Sequence, residues 1–246
     1  MRKLFAIVGR EWRAYFLSPL AYVILAAFLL VNGYIFWFIL NYLNSPGVPK
    51  GQALPYLFTN TFFWLFTLFL VPIISMRLFA EERKAGTLEM LLTSPVSEGT
   101  VVFGKFLGAL GFYLTLWLPT LLYVVVLRSQ TPVDPGPVAA SYLAIALLGG
   151  YFLSVGIFAS TLTKNQIIAA IITFAILIVI FSAGLLQSAV NDPAAREVLG
   201  YFNLWEHMEE FTKGVVDTRR VVYYLSTTVF FLFLTVVSVS AKKETP

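Results

Sequence analysis

The sequence predicts an all-α polytopic membrane protein with six transmembrane helices, and three observations carry that reading. The chain is 59% hydrophobic and 12% charged, with a mean hydropathy of +0.81, where a soluble domain carries about 25% charged residues. Six stretches free of Asp, Glu, Lys and Arg, from 21 to 36 residues long, separate its charges. Each exceeds the roughly 18 to 20 residues that a helix needs to cross about 30 Å of hydrocarbon. The apolar runs are continuous rather than alternating, which excludes the period of two expected of a barrel strand.

Ahead of the first span, residues 2–17 read as an amphipathic elbow helix. At about 100° per residue, Leu4, Val8, Trp12, Tyr15 and Phe16 share one side while Arg2, Lys3, Arg10 and Arg13 gather on the other. Such a helix lies in the membrane interface with its cations among anionic head groups. Glu11 is the exception, a charge off the charged side. Arg10 and Arg13 interrupt the apolar run too early for the core of a cleavable signal.

The spans fall near 20–42, 57–76, 106–127, 139–162, 167–186 and 221–241. With an even number of spans both termini share a side, and the Lys and Arg count decides which one. That side carries 11 and the other 6, four of them in one long loop, so the short loops divide 11 against 2. The expectation is a multi-pass plasma (inner) membrane protein with both termini cytoplasmic. The net charge of +4 and pI near 9.2 follow from that orientation, and no nucleic-acid partner is needed to explain them. Cysteine is absent, which excludes disulfides and thiolate metal sites.

Little in the chain points to chemistry. No span interior holds Asp, Glu, Lys, Arg or His; ion-coupled transporters place ionisable groups at membrane depth, so the absence argues against a self-powered transporter and leaves a gated pore open. The sole histidine, His207, shares a helix face with Glu210 and reads as part of a solvated polar face, since a catalytic metal needs about three protein ligands. Gly99 to Phe106 nearly matches a phosphate-binding loop, but Phe106 stands where the magnesium-holding hydroxyl belongs. Gly104 with Gly108, and Gly150 with Ser154, read as helix-packing positions because small residues let backbones approach. The long outer loop, 187–220, repeats Leu199, Phe202, Trp205 and Met208 at helical spacing and is expected to fold back on the bundle or lie in the outer interface. Asp217 reads as the N-cap of span six.

Between spans two and three, Ala85, Leu88, Leu91 and Leu92 form a short apolar stripe ended by Pro95, which predicts a cytoplasmic helix over 82–94. A helix so short needs a surface to pack on. Lipid is one such surface, and a groove on a cytoplasmic partner that accepts spaced apolar anchors is the other.

The run from Glu81 to Ser97, Glu-Glu-Arg-Lys-Ala-Gly-Thr-Leu-Glu-Met-Leu-Leu-Thr-Ser-Pro-Val-Ser, resembles the signature of ABC-2 type permeases, the membrane subunits of ABC exporters. Glu11 to Pro19 and Lys213 to Tyr224 are similar to the same family, and the subgroup most resembled is that of gliding-motility and nitrous-oxide-reductase maturation permeases. The resemblance implies a coupling helix between spans two and three and re-entrant helices between spans five and six. It implies a second permease, as a homodimer or with a related chain, seated on ABC ATPase subunits that hold the ATP and magnesium. This chain itself would bind no cofactor and catalyse nothing. Leu88, Leu91 and Leu92 would anchor the coupling helix, with Glu81, Glu82, Arg83, Thr87 and Glu89 completing the ATPase contact. The residues alone leave two other readings open: a membrane scaffold or channel without ATPase coupling, and a lipid-modifying enzyme. An enzyme would be favoured by clustered Asp, Glu or His at one interface, which the cytoplasmic side does not show beyond Glu81 and Glu82. The substrate is not readable, since an aromatic-rich apolar path suits lipids, lipid-linked glycans or drugs, and a purely mechanical role fits as well.

Overall fold

The computed structural model describes residues 2–43, 45, 57–87, 96–130, 133–188 and 190–241, and no strand occurs among them. Helix α1 spans Arg2–Phe16 and α2 spans Pro19–Leu43; α3 runs Thr61–Ser75 and continues through Met76 into α4, Arg77–Ala85. Span three is α5, Glu98–Trp117, and α6, Leu121–Gln130, joined by a 3-10 turn at Leu118–Thr120. Then come α7 (Pro135–Leu162), α8 (Gln166–Leu185), two short helices α9 (Pro193–Gly200) and α10 (Leu204–Thr212), and α11 (Thr218–Ala241). Six of these stretches are long and apolar enough to cross a membrane: Pro19–Tyr42, Thr61–Ala85, Glu98–Ser129, Pro135–Leu162, Gln166–Leu185 and Thr218–Ala241.

The starts of these helices are written locally. Asn60, Ser97, Asp134 and Asn165 each stand at the N-cap of a span and accept from a backbone N–H two or three residues on, which satisfies donors that have no partner inside the helix. Within the spans, Thr67, Ser75, Thr173 and Thr235 donate to the carbonyl four residues back at 2.8 Å, so these hydroxyls are met without water. Pro119 breaks span three, and Thr120 repairs the break: its hydroxyl donates to the Trp117 carbonyl at 2.6 Å and lies 2.7 Å from the Tyr142 hydroxyl.

Span four, α7, is the hub. Of its most apolar stretch 78% is buried, against 17% for span six, because small residues on several of its faces admit neighbours. Gly149 faces the Tyr113 ring and Gly156 the Ser75 side chain, each so closely that a Cβ there would clash. A Cβ at Gly150 would lie 3.7 Å from Phe106, an ordinary contact, and Ser154 is buried with its hydroxyl on the Tyr151 carbonyl. At the periphery, α8 and α11 expose Ile167, Ile171, Val179, Val229 and Phe233, side chains solvated by lipid tails in a membrane.

Two boundaries differ from those expected. The helix of span two does not end near Met76 but runs on through Arg77 to Ala85 and stops at Gly86, whose φ of 68° is the left-handed conformation suited to glycine. Residues 82–85 of the expected 82–94 helix are therefore the end of α4, and 88–95 lie outside the described residues. Span three begins at Glu98 rather than near Phe106, so Gly99 to Lys105 is helix and no phosphate-binding loop exists there.

Candidate functional site

The end of the bundle that carries α1, the α4–α5 connection and the α7–α8 turn gathers the buried charge. Its assembly begins with shape. On α5, Gly104, Gly108 and Gly111 recur at helical spacing and form a trough for Ile7, Glu11 and Trp12 of α1. A Cβ at Gly104 would lie 2.7 Å from Ile7 Cγ2, and one at Gly108 would lie 2.7 Å from Glu11 Cβ. The elbow helix is thus packed on span three rather than resting on lipid alone. Tyr15 fixes its far end: the ring stacks on Phe112 at 4.6 Å, the hydroxyl donates to the Ile74 carbonyl at 2.8 Å, and the Arg77 guanidinium sits 4.0 Å from the ring centre.

This packing carries Glu11 to Lys105. Lys105 Nζ lies 3.0 Å from Glu11 Oε1 and 2.8 Å from Glu82 Oε1, while Arg10 reaches the same two oxygens at 3.1 and 3.3 Å. The Lys105 side chain is 2% exposed, and its ammonium also faces the Phe79 ring at 5.3 Å. Burying a charge costs several kcal/mol unless it is paired, and here two cations meet two carboxylates with no net charge left. Glu82 Oε2 is buried with no hydrogen-bond partner among the described residues. One residue on, Arg83 donates to the Thr161 carbonyl at 2.7 Å, and the Thr161 hydroxyl lies 2.9 Å from that of Ser238. The stub α4 is therefore tied to α1, α5, α7 and, through Thr161, α11.

The remaining sequence-predicted positions divide. Glu81 and Thr87 are exposed, the Thr87 hydroxyl 3.4 Å from the Glu82 carbonyl. Leu88, Glu89, Leu91 and Leu92 fall outside the described residues. Asp217 caps α11, its carboxylate accepting from the Arg219 N–H at 2.8 Å. Neither Lys105 nor Glu11 stood among the expected site residues. Their signal was present in two halves, Glu11 off its helix's charged side and Lys105 beside Gly104, and only the α1–α5 packing joins them.

At the opposite end, α10 folds back onto α7 and buries Leu204, Met208 and Phe211. His207 goes with them, 0% exposed, so the expected solvated polar face is corrected. Its ring meets those of Tyr223 and Tyr224 edge-on at 5.6 and 5.7 Å, and Arg220 Nη1 lies 2.8 Å from Nε2. A guanidinium only donates, so Nε2 accepts and the imidazole is neutral with its proton on Nδ1. Burial, then the Arg220 charge, push its pKa down to about 3, against a weaker opposing pull from the Gly200 carbonyl and Asp217. Glu210 holds the same guanidinium through both oxygens at 3.2 and 3.3 Å. Among the described residues no three His, Asp or Glu converge as metal ligands.

Among the described residues, neither end therefore offers a nucleophile with its base or a metal cage. The first end offers a mechanical joint, in which α1, α4, α5, α7 and α11 are tied together at the root of the 86–97 connection. Comparison with known proteins adds one finding: the model of the family described as ABC-2 family transporter protein matches residues 52–241. A search of curated proteins returned no match.

Proposed function

This chain belongs to the ABC-2 family of transporter proteins, which makes it a multi-pass transmembrane component, and from that premise we propose that it is the permease subunit of an ABC exporter driven by a separate ATPase chain. The observation that carries the proposal is the buried Lys105–Glu82–Glu11 joint. Glu82 precedes the 86–97 connection and Lys105 follows it, so their ion pair clamps its two stems together, and Glu11 adds the elbow helix. A push on that connection moves the start of span three and the end of span two as one body, with α1 riding on them. In this reading Leu88, Leu91 and Leu92 seat the connection on the ATPase, and Glu81, Arg83, Thr87 and Glu89 orient it. ATP and magnesium are held by the partner, and a second permease, identical or related, completes the path. The connection then faces the cytoplasm of a plasma (inner) membrane protein with both termini inside, the orientation favoured by the short-loop Lys and Arg count of 11 against 2.

Tagged chain purified in mild detergent from its native cell is the test. The expected result is co-purification of an ATP-hydrolysing subunit in equal amount to the permease. Purification of the chain alone, under conditions that preserve its own fold, refutes the proposal and leaves a scaffold or channel.

A further inference from the structure

Span three is broken partway along, and what lies past the break is held differently from what lies before it. Before it, α5 is packed along its length, with Val101, Val102, Leu116 and Trp117 all buried. Past Pro119, α6 turns Leu121, Leu122, Val125 and Val126 outward and buries Val124 and Leu127. Proline has no N–H for the carbonyl of Thr115 four residues back, so the helix ladder lapses at this level and a bend there costs little. Two contacts fix the position of α6. The Thr120 hydroxyl spends its proton on the Trp117 carbonyl, so the Tyr142 hydroxyl of α7, 2.7 Å away, is the donor between the two. Tyr123 stacks on Phe36 of α2, ring centres 4.4 Å apart and 10° from parallel.

The stack joins α6 to the half of α2 that lies away from the joint. Further in, Phe28 pins α2 to the bundle, buried against Trp117 and Phe66, which it meets edge-on at 4.9 and 5.4 Å. Trp117 is the last residue of α5, so spans one and three are anchored at one level and both are released just past it. Five residues beyond Phe28 stands Gly33, the weakest helix former after proline. The opposite face of α2, with Tyr34 and Phe38, walls a groove of about 960 Å³ whose far wall is α3, with Phe62 and Phe66. A pivot, a light hold and a space to move into therefore coincide. We propose that α6 and the second half of α2 form a two-helix flap that pivots at Pro119 and Gly33 and closes the α2–α3 groove, with Tyr142 as the latch that holds it open. Closing exchanges contacts of the groove's rings with lipid for contacts between rings, and in hydrocarbon that exchange carries no hydrophobic driving force. The two positions are then close in free energy, and the single hydrogen bond from Tyr142 decides the balance. The flap is a motion of this chain alone and does not rest on its being driven by an ATPase.

Distances between nitroxide pairs test this, read by double electron–electron resonance on the full-length chain in phosphatidylcholine nanodiscs. The chain has no cysteine of its own, so labels go only where cysteines are placed. Trp37 of α2 and, in a second sample, Leu122 of α6 are each paired with Val179 of α8, a helix fixed to α3 by the Phe69–Phe174 stack at 4.7 Å. Val23, on the anchored half of α2, is paired with Val179 as the control, and all four labelled positions are exposed. Each flap pair is expected to show two distances, the shorter in the minority, and the control one. Tyr142→Phe keeps the ring against Phe58, which it meets edge-on at 5.6 Å, and removes the latch. It should raise the ratio of shorter to longer distance about three- to fivefold at both flap pairs. Gly33→Ala, whose Cβ would meet the Tyr123 hydroxyl at an ordinary 3.6 Å, and Pro119→Ala should both lower that ratio. A single distance at the flap pairs, unchanged by Tyr142→Phe, overturns the proposal. A shift at only one of the two pairs overturns it as well, because α2 and α6 then do not move as one flap. So does a control that broadens along with them, since Tyr142→Phe has then loosened the bundle at large.

Discussion

Replacing Lys105 with methionine isolates what the buried joint contributes. Met keeps an unbranched stem against Phe79 but removes the only cation that is fully buried between Glu11 and Glu82, whose side chains are 12% and 19% exposed. Breaking a buried pair from one side costs about 3 to 5 kcal/mol, because the partner charge is left behind. Arg10 still reaches both carboxylates but is 56% exposed, so it offsets part of the loss and the expected cost is about 3 kcal/mol. That weakens the hold of α1 on α5 by about two orders of magnitude. The chain has no cysteine, so one introduced at Val8, on the packed side of α1, reports the opening through its rate of thiol labelling in detergent. The expected result is a rate about a hundredfold higher in Lys105→Met than in the Val8→Cys parent. The triple variant Glu11→Gln, Lys105→Met, Glu82→Gln should return most of the way, since no buried charge is then left unpaired and Arg10, which loses both partners, is 56% exposed and met by water. An unchanged rate in Lys105→Met, or a triple variant as open as the single one, refutes the assignment of the cluster as a clamp.

Other perturbations test the remaining contacts. Gly108→Leu drives a side chain into Glu11 Cβ, already 2.7 Å from where a Cβ would stand, so it should cost about 1 to 3 kcal/mol and raise the same labelling rate, whereas Gly99→Ala meets nothing within 4 Å and should leave it unchanged. The folded-state pKa of His207, about 3, lies below its unfolded value of about 6.5, so the unfolded chain takes up the proton first. Its contribution is complete above pH 6.5 and falls by about 1.4 kcal/mol per unit below it, a slope that thermal unfolding from pH 7 to 4 should show and that His207→Gln should flatten. Cysteines at Asp134 and Arg196 should react with an impermeant reagent on intact cells, and one at Lys84 should not; the reverse pattern inverts the proposed orientation.

The helices were legible because charge avoids hydrocarbon. Gaps between charged residues locate six apolar runs, and the six candidate spans of the structure fall on the same runs. Boundaries were lost where charged residues find partners across the fold. Arg77 marks a span end by composition, yet Tyr15 receives it, Lys105 receives Glu82, and the Thr161 carbonyl receives Arg83, so the helix continues for two more turns. His207 was misread for a similar reason: polarity along α10 predicts water, and what it meets is Arg220, supplied by the first turn of α11. Small residues along α7 announce close packing in the sequence, but which of them take the tightest contacts depends on where Tyr113 and Ser75 arrive.

The central claim is that a separate ATPase drives this chain through the 86–97 connection, and ATP turnover by the co-purified complex tests it most directly. Turnover is compared between the wild type and Leu91→Ala with Leu92→Ala, both first shown to insert normally. Truncating buried leucines costs about 2 to 5 kcal/mol in well-packed sites, so the double variant should lose its ATPase at least tenfold more readily and lose the permease-stimulated part of hydrolysis. Retention of the ATPase with full stimulated turnover in the double-alanine variant would contradict the claim.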